Sequence, residues 1–148
     1  MRSALVVEAL VLRGVLPLLL RATPLDRLLS RLARARGGAP LESVSAALDV
    51  SERCASFARV VPDTCLYRAL TRFALLARHG HPASFVLAVV EAEVDVTGHA
   101  WVELDGTVFG EELDRPYVVT LRYPAQGVSD TRSSTGPTAE PTVSATTK

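Results

Sequence analysis

Apolar residues recur at helical spacing through the first half of the chain and at alternating spacing through much of the second. Residues 3–21 are almost continuously apolar, interrupted by Glu8, Arg13 and Pro17. These interruptions leave runs shorter than the roughly 18 uncharged residues of a membrane span, and no small-residue cleavage site follows. The expectation is a core or partner-facing helix, in preference to a membrane-surface helix, a span or a signal peptide. A second helix is predicted from Pro24 to Arg34 after a Thr23-Pro24 start, and Gly37-Gly38-Ala39-Pro40 breaks the chain after it. Residues 41–59 carry a loose stripe of Leu41, Val44, Ala47, Leu48, Cys54, Phe57 and Ala58. Val61-Pro62-Asp63-Thr64 then reads as a turn ending in a capping residue. The next helix runs from Cys65 to Arg78, with Leu66, Ala69, Leu70, Phe73, Leu76 and Ala77 at helical spacing and Gly80 as its stop.

Beyond Gly80 the period changes. Ser84 to Val90 is apolar and β-branched, as in a buried strand. Gly98 to Leu104 alternates, placing Ala100, Val102 and Leu104 on one face and His99, Trp101 and Glu103 on the other. Asp105-Gly106 is a hairpin signal leading into Thr107-Val108-Phe109, and Tyr117 to Leu121 predicts a further strand. From Pro124 onward the chain is rich in Ser, Thr, Pro, Gly and Ala without periodicity, as expected of a disordered tail. Helices followed by strands predict an α+β fold, with helices packed on a small antiparallel sheet. The implied organisation is an arginine-rich helical segment over 1–36, a core over 37–123 and a tail over 124–148.

Composition narrows the class. The chain has 148 residues, 48% of them hydrophobic, which suffices for one globular core. Its net charge is zero, but residues 1–36 carry seven Arg against Glu8 and Asp26, and the excess is balanced by acidic residues further on. This distribution suggests a basic N-terminal segment packed on, or steering toward, an acidic partner or surface. A neutral total with sparse aromatics argues against nucleic-acid binding. Only Cys54 and Cys65 are available as cysteines, so a disulfide framework is not expected, and the protein reads as reduced and cytoplasmic. There is no Cys-x-x-Cys and no phosphate-binding glycine loop after a strand, so no metal or cofactor is predicted.

The candidate chemistry lies in Cys65 and His99. Cys65 falls in the first turn of a helix, where unpaired N–H groups and the helix dipole favour thiolate over thiol and could hold an oxyanion. His99 begins an alternating strand on its more polar face. A cysteine at a helix start facing a histidine on a strand is the layout of a papain- or transglutaminase-type nucleophile. Cys54 reads instead as a buried structural cysteine, and His79 and His81, flanking Gly80, as solvated. A third group should orient the imidazole, and Glu103, Asp105, Glu111, Glu112 and Asp114 are the candidates. With the turn at 105–106, the residue across from His99 is Glu112, with Glu111 beside it, and a single bulge would exchange them.

Three segments together resemble a known family. Cys65-Leu66-Tyr67-Arg68-Ala69-Leu70, Arg78-His79-Gly80-His81-Pro82-Ala83, and Gly98 to Gly106 (Gly-His-Ala-Trp-Val-Glu-Leu-Asp-Gly) are similar to the lasso peptide biosynthesis B proteins, which are transglutaminase-like leader peptidases. The similarity covers roughly residues 1–122, and the chain length resembles the split form of that family. The resemblance implies a transglutaminase/papain-like fold and removal of the leader from a ribosomally made precursor peptide. It also implies a separate small leader-recognition protein and an ATP-dependent cyclase as partners; the apolar composition of the N-terminal helix, independently, suggests a docking surface for one of them. Carried over by motif, Cys65 would be the nucleophile and His99 the general base and later acid. Glu111 would stand where the family has an aspartate, with Glu112 and Asp114 close by. From their positions, Trp101 would wall the cleft or simply pack, and Arg68 would serve the structure, pair with an acidic side chain or hold substrate.

Overall fold

A computed structural model describes residues 2–57, 64–91 and 96–124. Four helices precede four strands: α1 (Arg2–Ala22), α2 (Leu25–Leu32), α3 (Leu41–Phe57), α4 (Cys65–Arg78), β1 (Ala83–Glu91), β2 (Val96–Leu104), β3 (Thr107–Val108) and β4 (Val118–Pro124). The strands form one antiparallel sheet in the order β3-β2-β1-β4, and the helices pack on it, as the α+β reading requires. The expected boundaries shift by a few residues. Pro124 ends β4 rather than opening the aperiodic tail; residues 125–148 lie outside the described residues, as do the 61–63 turn and the end of the 41–59 segment.

The period-2 pattern of β1 and β2 divides the core in two. Ala83, Phe85, Ala100 and Val102 face the helices and join one large cluster with Leu70, Phe73 and Leu76 of α4. Val86, Ala88 and Trp101 face the other way, and Val108 and Tyr117 pack against them. His99 therefore belongs to the sheet face turned away from the main core, at the strand edge that the two-residue β3 leaves uncovered.

Helix α1 buries Leu5, Ala9, Leu12 and Leu16 against α3 and α4, one stripe at helical spacing. It is long and apolar enough to cross a bilayer, yet this stripe is part of the core. Helices α1 and α2 are thus docked in the core, as a packed basic segment would be, and Arg13 is itself buried. Cys54 departs from the expectation of a buried cysteine: it is exposed. The inward stripe of α3 is Val44, Ala47, Leu48, Ser51 and Ala55, and at 100° per residue Cys54 falls about a quarter-turn from its centre.

His79 and His81 also differ from their expected solvated state. His79 Nδ1 accepts from Ala39 N–H (3.3 Å), and His81 Nε2–H donates to Ala39 O (3.0 Å). The N–H groups of Arg36 and Gly37 add bonds to Arg78 O at 2.7 and 2.8 Å. The two imidazoles clip the 36–39 linker to the end of α4. A Cβ on Gly37 would lie 2.8 Å from His79 Nδ1, so the ring requires glycine there.

Candidate functional site

Cys65 is the first residue of α4, after Thr64 in extended conformation (φ −98°, ψ 155°). The Thr64 hydroxyl accepts from Tyr67 N–H at 3.5 Å, and Thr64 O accepts from Arg68 N–H at 3.1 Å. The N–H groups of Cys65 and Leu66 have no partner within the helix, as in any first turn, and Cys65 is partly exposed. Helix α4 packs on β2, the strand that carries His99. Cys65 and Arg72 are seven residues apart, so they share one face of α4 about 10 Å apart along its axis.

The imidazole of His99 has three partners. Its Nε2–H donates to Glu111 Oε2 at 2.9 Å. Its ring stacks against Trp101 (centroids 5.9 Å, interplanar 29°) and Tyr117 (5.2 Å, 25°), which also meet each other at 5.6 Å, so the three rings form one triangle. A carboxylate has no proton to give, so the Glu111 bond assigns the proton to Nε2 and leaves the Nδ1 lone pair available. Trp101 is nearly inaccessible, 2% exposed, and its Nε1–H donates to Glu103 (3.2 Å), which in turn pairs with Arg122. Its contact with the site is through the ring of His99.

The hairpin explains why Glu111 meets His99. Asp105 and Gly106 both have left-handed backbone (φ 49° and 80°), the geometry of a type I′ turn. The pairs Glu103–Val108 and Leu104–Thr107 follow the expected register, and Phe109 N–H still reaches Val102 O at 2.8 Å. Gly110 then leaves the ladder with φ 75°, so the simple extrapolation to Glu112 fails and Glu111 turns toward His99. Glu112 is exposed. Asp114 caps a different cluster, accepting from Arg115 (2.8 Å) and from the Tyr117 hydroxyl (2.8 Å). The Arg115 guanidinium and then the Tyr117 hydroxyl hold the Asp114 carboxyl down at about 2. The same bond to Asp114, followed by burial and the Asp114 charge, pushes the Tyr117 phenol up, and Cys65 adds to the push. Tyr117 therefore stacks on His99 while lying within electrostatic reach of Cys65.

Sequence reasoning missed Arg72, Glu52 and Tyr117. Arg72 is buried on α4 and makes five donor contacts: to both Glu52 oxygens (2.7 and 3.0 Å), Glu111 Oε1 (2.7 Å), Gly110 O (3.1 Å) and Phe109 O (3.4 Å). An arginine inside the otherwise buried run Ala69–Ala77 was the available signal, since a buried guanidinium demands acidic or carbonyl partners. Arg68 is half-buried in the first turn of α4, on the same face as Cys65 and Arg72. Among the described residues no cluster of three or more His, Cys, Asp or Glu has the arrangement of a metal site.

Searches of curated proteins and of solved structures return no match. The sequence profile of the Transglutaminase-like superfamily matches residues 10–122, which include Cys65, His99 and Glu111. The chain belongs to the transglutaminase-like superfamily, a membership that implies a hydrolase or transferase working through cysteine and histidine.

Proposed function

We propose that the protein is a cysteine peptidase that removes the leader from a ribosomally synthesised lasso peptide precursor. The observation that carries the chemistry is the 2.9 Å bond from His99 Nε2–H to Glu111, on a strand packed against the helix that Cys65 opens. The leader specificity rests on the three-segment resemblance to the lasso peptide B proteins. The cytoplasm is its proposed compartment, and the leader-recognition protein and the cyclase are its proposed partners on the same basis.

In this reading His99 Nδ1 takes the Cys65 proton, and the thiolate attacks the carbonyl at the leader–core junction. Sulfur bonds to carbon, and the oxyanion is held by the first-turn N–H groups of α4. The carbon–nitrogen bond breaks as His99 returns the proton to the leaving amine, freeing the core peptide. Water then adds to the thioester with His99 as base, releasing the leader acid and restoring the thiol. Glu111 fixes the His99 tautomer throughout and stabilises its protonated form.

The test is mass spectrometry of the candidate precursor incubated with the leader-recognition partner and either the wild type or Cys65→Ala. Cleavage at one bond by the wild type alone is expected, with both proteins giving the same circular dichroism and Tm. Equal cleavage by Cys65→Ala rejects the mechanism. Superfamily membership also admits transfer to an amine, and the product masses separate the two: hydrolysis adds water, whereas aminolysis adds the amine.

A further inference from the structure

We infer that Arg72 is a positioning residue that acts on His99 through Glu111. The inference rests on the Cys65–His99 reading above and goes beyond it. Each Glu111 oxygen has one partner: Oε1 takes Arg72 Nη1–H at 2.7 Å and Oε2 takes His99 Nε2–H at 2.9 Å. A carboxylate gripped at one oxygen only can rotate about its last bond; gripped at both, it presents Oε2 to the imidazole in one orientation. Arg72 is itself immobilised. Its Nε and Nη2 form a fork on Glu52 of α3, and its remaining donors reach the carbonyls of Phe109 and Gly110. The two carbonyls precede Glu111 directly, so one guanidinium fixes both the backbone and the side chain of that residue. Gly110 makes the approach possible: a Cβ there would stand 3.2 Å from Arg72 Cζ.

The arrangement joins α3, α4, the 109–111 segment and β2 in one line, Glu52–Arg72–Glu111–His99. Because Arg72 and Cys65 share a face of α4, the helix that would carry the nucleophile also places the orienter of its base. A lysine has the charge of arginine but lacks its planar fork, and a single ammonium cannot cover the two acids and two carbonyls together. Arg72→Lys therefore separates geometry from charge.

The experiment uses the full chain with Cys54→Ser, which removes the exposed second thiol. The rate of Cys65 alkylation by iodoacetamide is followed against pH by mass spectrometry for this parent, Arg72→Lys, Glu52→Gln and His99→Ala, with Tm and circular dichroism for each. His99→Ala should slow alkylation relative to the parent at neutral pH. Arg72→Lys should move the acid limb upward, because a loosened Glu111 stabilises the imidazolium less. It should also lower kcat on the precursor about ten- to a hundredfold with KM unchanged. Glu52→Gln, which touches neither Glu111 nor His99, should shift both in the same direction by less. An unchanged profile and kcat in folded Arg72→Lys and Glu52→Gln, with only Tm lowered, would make the cluster purely structural and overturn the inference while leaving the peptidase reading intact. A parent that titrates like a free cysteine and is insensitive to His99→Ala would remove the Cys65–His99 pair and the inference with it.

Discussion

Glu111 has two acceptor oxygens and two donors to satisfy, Arg72 at Oε1 and His99 at Oε2. Glutamine in its place has the same shape but one acceptor. If its oxygen faces Arg72, its amide N–H faces His99, and the imidazole must turn Nε2 into an acceptor and move its proton to Nδ1. If its oxygen faces His99, an amide N–H confronts the guanidinium N–H. The first arrangement costs less, because the buried arginine keeps its partner. His99 then carries its proton on the nitrogen that should act as base. Glu111→Gln is expected to lower kcat by about two to four orders of magnitude. Steady-state cleavage of the precursor checks this, with Tm as the control for folding; a kcat within threefold of wild type would remove Glu111 from the mechanism.

The segments between elements set the aromatic side of the site. In the sheet β1 separates β4 from β2, and Ala88 stands opposite both Val119 and His99. Tyr117, just before β4, packs against Val86, Ala88 and Trp101 on this face and stacks on the His99 ring. The register between β1 and β4 shifts at Leu87/Ala88, where Thr120 has no Cα partner and its hydroxyl donates to Leu87 O at 3.0 Å. That extra residue sets which face the start of β4 presents. The strand was legible, read over Tyr117 to Leu121, but neither the bulge, which leaves no period, nor the reach of Tyr117 to His99 was. What was legible was short-range: the Thr64 cap, the Asp105-Gly106 turn and the 99/101/103 face each depend on a few adjacent residues. Tyr117 is tied down by Asp114, whose carboxyl falls from 3.8 to about 2. A carboxyl lowered in the folded state contributes stability above its unfolded value, lost as pH falls through about 2. Tyr117 is raised above 10, so its contribution is present below 10 and is lost as pH rises through the raised value. The contribution of the Asp114–Tyr117 bond is thus constant between about 4 and 10. Asp114→Asn should bring the Tyr117 ionisation back toward 10, read as the tyrosinate absorbance lost on adding Tyr117→Phe. An unchanged midpoint would show that the phenol is raised by something other than Asp114.

At the scale of the whole molecule, the helical layer determines what the site can rest on. Helix α4 packs against α1, α2 and α3 and against β1 and β2, so the same helix carries the core and the site line. The sequence made the helical period of α4 plain but not that Arg72 would look toward Glu52, 20 residues earlier, and Glu111, 39 residues later. Long-range charge partners follow from topology rather than from spacing. Helix α1 raised the opposite difficulty, because an almost wholly apolar segment has no visible polar face. The structure resolves it into two stripes: Leu5, Ala9, Leu12 and Leu16 lie in the core, while Val7, Val11, Val15 and Leu18 are exposed, Val11 by 58%. Removing residues 1–21 would therefore strip out core as well as surface and would report unfolding whatever else it did. Single substitutions separate the two. Leu12→Ala opens a cavity against α3 and α4 and should cost about 2–5 kcal/mol. Val11→Ser exchanges an exposed side chain for one of similar helix propensity and should stay within about 0.5 kcal/mol. Urea unfolding of both variants at two protein concentrations checks this. If Val11→Ser destabilises as much as Leu12→Ala, and by an amount that changes with the logarithm of protein concentration, the outer stripe is covered by a second copy in solution. A small, concentration-independent effect leaves α1 as a core helix with an uncovered apolar face.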